Sequence, residues 1–157
     1  MVKKVEQILI SLDAYGGTFW EIGEHAPIAG IRNGMQAFKD SGADIIVSVG
    51  GGSPIDASKA IIYNLQQESG GAFLRQISLP TTLSAAEYTV SRYTLVKIIP
   101  YKSPQIGAGF MNDEGVKVSV SSQELAPAGV ILDAELTLPT PERLWSVPRI
   151  STRFLFR

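Results

Sequence analysis

Apolar positions along the chain follow two periods. Val5, Ile8, Leu9 and Leu12 fall at i, i+3, i+4 and i+7, which is one face of a helix. Residues 16–18 (GGT) break that pattern, and residues 19–23 (FWEIG) read as a short strand. Pro27 suits a first helical turn, after which Ile28, Ile31, Met35 and Phe38 form a buried stripe closed by Ser41 and Gly42. Residues 43–50 (ADIIVSVG) are short, rich in β-branched side chains and almost continuously apolar, as in a parallel strand covered on both faces. A helix is predicted from about 54 to 67 and a second buried strand over 76–80. Strands alternating with helices predict an α/β fold: an open, mostly parallel sheet with flanking helices and right-handed crossovers.

Composition narrows the class of protein. A net charge of −1 over 157 residues gives no basic surface for a polyanion, so no nucleic-acid partner is expected. The chain has no cysteine, hence no disulfide framework and no thiolate chemistry. No apolar run approaches the roughly 18–20 residues of a membrane span, and Glu6, Gln7 and Asp13 interrupt what begins like a signal peptide. The expectation is a cytoplasmic protein without a membrane partner, a mitochondrial location staying open.

The candidate chemistry begins where the first buried strand meets its helix, at VSVGGGSPIDASKAI (47–61). Three glycines there leave backbone N–H groups free at a helix start, an arrangement that receives anions such as phosphate. Ser53 is expected as N-cap, Pro54 at the first helical position and Asp56 three residues after the cap, a capping-box spacing with Asp for Glu. Plainer readings stand beside this: tight packing of the glycines, a cap role alone for Ser53 and Asp56, and a solvated Lys59. Neither G-x-G-x-x-G nor G-x-x-x-x-G-K-[ST] is present.

The loop is followed, in order, by LPTTLSAAEYT (79–89), GAGFMNDEGVKVSVSS (107–122) and APAGVILDAELTLPTPERLW (126–145), and preceded by HAP (25–27). Together these motifs closely resemble the iron-containing alcohol dehydrogenase family, nearest to its maleylacetate-reductase-like branch. The resemblance implies a Rossmann-like N-terminal domain that binds NAD or NADP. It also implies a C-terminal helical domain that holds a divalent metal, iron or zinc, and a small-molecule substrate in the cleft between the two. Carried over by position, Gly51, Gly52 and Ser53 contact the cofactor pyrophosphate and Asp56 lies toward the nicotinamide. Thr81 and Thr82 line the cofactor site with Leu83 beside them, and Lys117 reaches the nicotinamide ribose. Lys117 also reads as the exposed face of a strand, and His25, the one histidine, as a residue at a helix start.

The resemblance has gaps. The family's metal pair, an aspartate and a histidine four residues on, is expected just beyond Trp145, where this chain reads SVPRISTRFLFR. Asp133 and Glu135 do not stand at the family's ligand positions, so the metal is not expected to bind this chain. The expectation is therefore a partial cofactor domain over 1–145, cut at both ends, with an atypical tail over 146–157. Residues 90–105 interrupt the family pattern. They read either as a surface insertion or as retained intron, since Val90-Ser91 can be encoded GTAAGT and Gln105 CAG; an intron this short suits a fungus. The functional expectation is the cofactor-binding part of an NAD(P)-dependent oxidoreductase that moves hydride between nicotinamide and a carbonyl, alcohol or enol-type substrate. The chain alone is expected to be inactive. The rival expectations are a non-catalytic nucleotide- or partner-binding fragment and a gene-model artefact; oligomeric state stays open, a homodimer included.

Overall fold

The computed structural model describes residues 2–88 and 106–146. The interruption at 90–105 and the tail beyond 146 lie outside the described residues. Helix α1 (Val2–Ser11) is followed by α2 (Ile28–Ser41), β1 (Ile45–Gly50), α3 (Gly52–Ser69) and β2 (Arg75–Pro80). Then come β3 (Ile106–Met111), β4 (Lys117–Ser122), β5 (Gly129–Val130), α4 (Ala134–Thr137) and α5 (Glu142–Ser146). Strands β1, β2 and β5 form a parallel sheet in that order, with Val47 opposite Ile77 and Val49 opposite Leu79. Strands β3 and β4 form an antiparallel hairpin, Phe110 opposite Val118.

Helix α3 connects β1 to β2 and organises the interior. Its buried residues run almost around its circumference, from Ile55 through Ala57, Ser58, Lys59, Ala60, Ile61 and Ile62 to Leu65, the pattern of a helix enclosed by neighbours. Ile31 and Met35 of α2, Ala57, Ala60, Ile61 and Leu65 of α3, and Phe110 of β3 form one core cluster. Gly34 lets α2 approach α3: a Cβ there would stand 2.6 Å from Ile61 Cδ1. Each of these two helices ends on a left-handed glycine, Gly42 (φ 65°) and Gly70 (φ 66°). Arg32 of α2 donates two hydrogen bonds to Asp113 in the β3–β4 turn, at 2.9 and 2.7 Å, and fastens the hairpin to the helical layer. The Arg32 guanidinium holds the Asp113 carboxyl below the usual carboxylate range.

Three sequence expectations change here. Residues 19–23 form no strand; they run without a ladder partner among the described residues. Their backbone is pressed onto α2 instead: a Cβ at Gly30 would stand 2.7 Å from the Glu21 carbonyl oxygen, and Ile22 packs on the core. Strand β1 is half-buried rather than covered on both faces, with only Ser48 fully buried among its residues. It lies at the edge of the described sheet. On the face it shares with Ile46, Gln76 Nε2 donates to Ser48 Oγ (2.8 Å) and Ser78 Oγ (2.9 Å), a buried polar row that hydropathy alone does not disclose. Helix α1 forms, but it has no buried residue and Ile8 and Leu12 are exposed. No described helix is long and apolar enough to cross a membrane.

Candidate functional site

The turn from β1 into α3 is built by glycines with separate tasks. Gly50 has φ +149°, a conformation L side chains rarely adopt, and a Cβ there would stand 2.8 Å from Pro54 Cγ. Its carbonyl accepts the Thr81 N–H at 2.9 Å, which joins the glycine turn to the threonine loop. At Gly51 a Cβ would stand 3.1 Å from Thr82 Cγ2, and at Gly52 3.4 Å from Ser84 Cβ and Oγ. The glycine and threonine loops are thus packed together.

The capping box over Ser53 and Asp56 is not formed. Helix α3 begins at Gly52 with Gly51 as an extended N-cap and no side-chain cap bond. The positive φ of Gly50 turns the chain early, so Ser53 is already helical and Pro54 falls at the third helical position, where its missing N–H is harmless. Ser53 Oγ instead accepts the His25 N–H at 3.2 Å and ties the start of α3 to the segment leading into α2. His25 (φ 62°) and Ala26 (φ 50°) make the turn ahead of α2, consistent with a residue at a helix start.

Across from the glycines, Thr81 is buried and its carbonyl accepts Thr140 Oγ1 at 2.6 Å. Thr82 is half-buried and Leu83 is exposed, so the loop presents an apolar side chain to solvent at its tip. Ala85 sits at φ 55°, a left-handed conformation that suits glycine. Ala85→Gly is expected to stabilise the chain by about 1 kcal/mol, read as a higher urea midpoint at unchanged slope.

Behind these loops lies a buried charged group. Asp56 Oδ2 accepts the Gly109 N–H of β3 at 3.4 Å, while Oδ1 is buried without a hydrogen-bond partner among the described residues. Burial pushes the Asp56 carboxyl up to about 6, against the pull of Lys59, the Gly109 N–H and Lys117. Lys117 opens β4 on its exposed face, yet its chain leans over Gly109: a Cβ at that glycine would meet Lys117 Cε at 3.1 Å and Asp56 Oδ2 at 3.9 Å. Gly109 is therefore what lets Asp56 and Lys117 converge. Lys59, for which a solvated position is one reading of the sequence, is 0 % exposed; it donates to the Ala86 carbonyl and, at 3.2 Å, to the Gly107 carbonyl. Burial lowers its pKa, opposed by Asp56 and by the buried Glu87. The sequence offered one clue to Lys59, its i+3 spacing from Asp56, and none to Glu87 or Gly109.

Asp133 and Glu135 do not converge on a site. Asp133 caps α4 by accepting the Glu135 N–H at 2.9 Å, and Glu135 pairs with Lys4 at 3.3 Å. Among the described residues no three His, Cys, Asp or Glu side chains come together. The described residues do not fit a metal centre. A cleft lined by Phe38, Ala43, Leu65 and Leu74 lies at the far end of α2 and α3 and shares no residue with the glycine turn.

A parallel α/β layer with a glycine-built turn into its central helix defines a Rossmann-like domain. The chain belongs to the iron-containing alcohol dehydrogenase family, whose model matches residues 1–97. It is 32% identical over 125 residues to a maleylacetate reductase of Rhizobium sp., a match covering 80% of this chain and 29% of that enzyme. The crystal structure of maleylacetate reductase from the same source superposes with a TM-score of 0.66 at 29% identity, over 88% of this chain and 33% of that one. A sulfoacetaldehyde reductase from Bifidobacterium kashiwanohense, solved in complex with NAD+, shares the fold at 21% identity (TM-score 0.63; 90% of this chain, 38% of that one). The chain thus spans between 29% and 38% of the length of these relatives.

Proposed function

We propose that this chain supplies the dinucleotide-binding face of an NAD(P)-dependent oxidoreductase of the alcohol dehydrogenase and maleylacetate reductase type. The observation that carries the reading is the uncapped start of α3, reached through side-chain-free Gly51 and Gly52 and packed against Thr82 and Ser84. Backbone N–H groups of Gly51, Gly52 and Ser53 are left for the pyrophosphate, whose charge the helix start favours. Thr81 and Thr82 form the facing wall and Leu83 offers an apolar edge. Asp56 and Lys117, converging over Gly109, belong to the nicotinamide end, where the lysine's flexible point charge can donate to ribose hydroxyls. The bound nicotinamide supplies the hydride chemistry, between itself and a carbonyl, alcohol or enol-type small molecule. The protein orients the ring, and Asp56, its carboxyl pushed up to about 6 by burial, holds or releases a proton beside it.

Titration with NADH and NADPH, followed by nicotinamide fluorescence, tests this. Gly52→Ala is the informative variant, because its Cβ meets Ser84 only at ordinary contact distance (3.4 Å) and the fold accommodates it. The expected result is unchanged thermal stability with affinity weakened at least about tenfold, since a methyl group stands where phosphate oxygens approach the backbone. Wild-type chain that binds neither nucleotide, or a variant that binds as wild type, contradicts the reading.

A further inference from the structure

We infer that Lys59 is a positioning residue of this site: its buried ammonium ties α3 to the threonine loop and to β3 and sets a positive charge one helical turn from Asp56 at the nicotinamide end. The inference rests on the dinucleotide reading for its ligand and on the following geometry for its substance. A lysine is almost never fully buried unless its charge is needed. Lys59 is 0 % exposed, and its ammonium donates to the carbonyls of Ala86, in the short 3-10 turn that ends the threonine loop, and Gly107, in β3. A neutral donor could serve two carbonyls without the desolvation penalty of a buried cation.

What demands a cation is the pair of acids around it. Asp56, one helical turn away, and Glu87, in the same 3-10 turn as Ala86, both act on Lys59. Asp56 Oδ1 and Glu87 Oε2 are buried without hydrogen-bond partners among the described residues. Among the described residues the other groups acting on Asp56 are the Gly109 N–H of β3 and the ammonium of Lys117 on β4. Lys117 is exposed, so solvent and salt weaken its hold. Among the described residues Lys59 is the buried cation that acts on Asp56, and the same group ties the helix carrying Asp56 to the loop carrying Thr81 and Thr82.

The Asp56 side-chain carboxyl, followed by carbon-13 NMR against pH, reads this with or without nucleotide. Wild-type protein is expected to titrate near 6. Lys59→Met is expected to move the midpoint upward and to weaken NADH binding at least about tenfold at neutral pH. A variant that has merely unfolded moves the other way, toward the ordinary aspartate value of about 3.9. Glu87→Gln keeps Lys59 and serves as the second variant. It removes a charge that helps Lys59 hold its proton, so the alkaline inflection of the Asp56 signal, which reports Lys59 deprotonation, is expected at lower pH. A folded Lys59→Met protein whose Asp56 midpoint stays put or falls overturns the proposal, and so does a Glu87→Gln protein whose alkaline inflection does not move. Wild-type chain that binds neither NADH nor NADPH defeats the dinucleotide reading separately, while the Asp56 signal still decides the role of Lys59.

Discussion

Asp56→Asn is expected to make the protein more stable than wild type at about pH 8 and to lose that advantage at about pH 4. The Asp56 carboxyl is raised from 3.8 to about 6 in the folded state, chiefly by burial. Folded protein therefore holds a proton that the unfolded chain has given up between those two values. In that window the native state binds more protons, so stability falls as pH rises and the full loss is present above about 6. A shift of this size corresponds to at most about 3 kcal/mol, and to about 2 kcal/mol once the part of the carboxyl that water still reaches is allowed for. Asparagine has the shape of the protonated acid and keeps an acceptor for the Gly109 N–H. The difference in unfolding free energy between variant and wild type is thus expected to grow by about 2 kcal/mol from pH 4 to pH 8, measured by urea unfolding at each pH. A difference that stays flat with pH refutes the assignment. The stabilised variant is also expected to lose any change in NADH affinity near pH 6, the trade between stability and function that a buried acid at a binding site carries.

Gly50→Ala is expected to destabilise the chain by about 3 kcal/mol, enough to abolish cooperative folding if the wild type is marginal. Two terms add. An L side chain at φ +149° stands in a region almost reserved for glycine, at a cost on the order of 1–3 kcal/mol. Its Cβ also stands 2.8 Å from Pro54 Cγ, overpacking of the kind that costs about 1–3 kcal/mol. Gly50→Ala combined with Pro54→Ala separates them: the double variant is expected to regain the contact term and not the conformational one. Gly52→Ala, two residues on, is the internal control, since it meets only ordinary contact. If Gly50→Ala and Gly52→Ala destabilise equally, the assignment of different tasks to the two glycines is wrong.

The helices and strands around the glycine turn were legible because their periodicity is strong. Ile31 and Met35 keep the 3.6-residue spacing, residues 45–50 are short and largely apolar, and 75–80 set Ile77 and Leu79 in strand alternation. The segment at 19–23 misled because its aromatic and β-branched composition suits a strand, whereas a strand also needs a neighbour to hydrogen-bond. The capping box misled for a related reason. Ser53 and Asp56 have the right spacing, but the helix start was decided one turn earlier by the positive φ of Gly50.

The sequence by itself determined the α/β alternation, the family motifs and the glycine turn at the start of α3, because each is local and spans a few residues of fixed spacing. Tertiary structure alone decided what surrounds Asp56. Gly109 and Lys117 come from the hairpin, Glu87 from the loop after β2, and Lys59 turns inward rather than out. The physical reason is that burial and partnership belong to the packed state. A lysine three residues after an aspartate reads as solvated until α3 is enclosed by α2, β3 and the threonine loop; once enclosed, it answers for the charges around it.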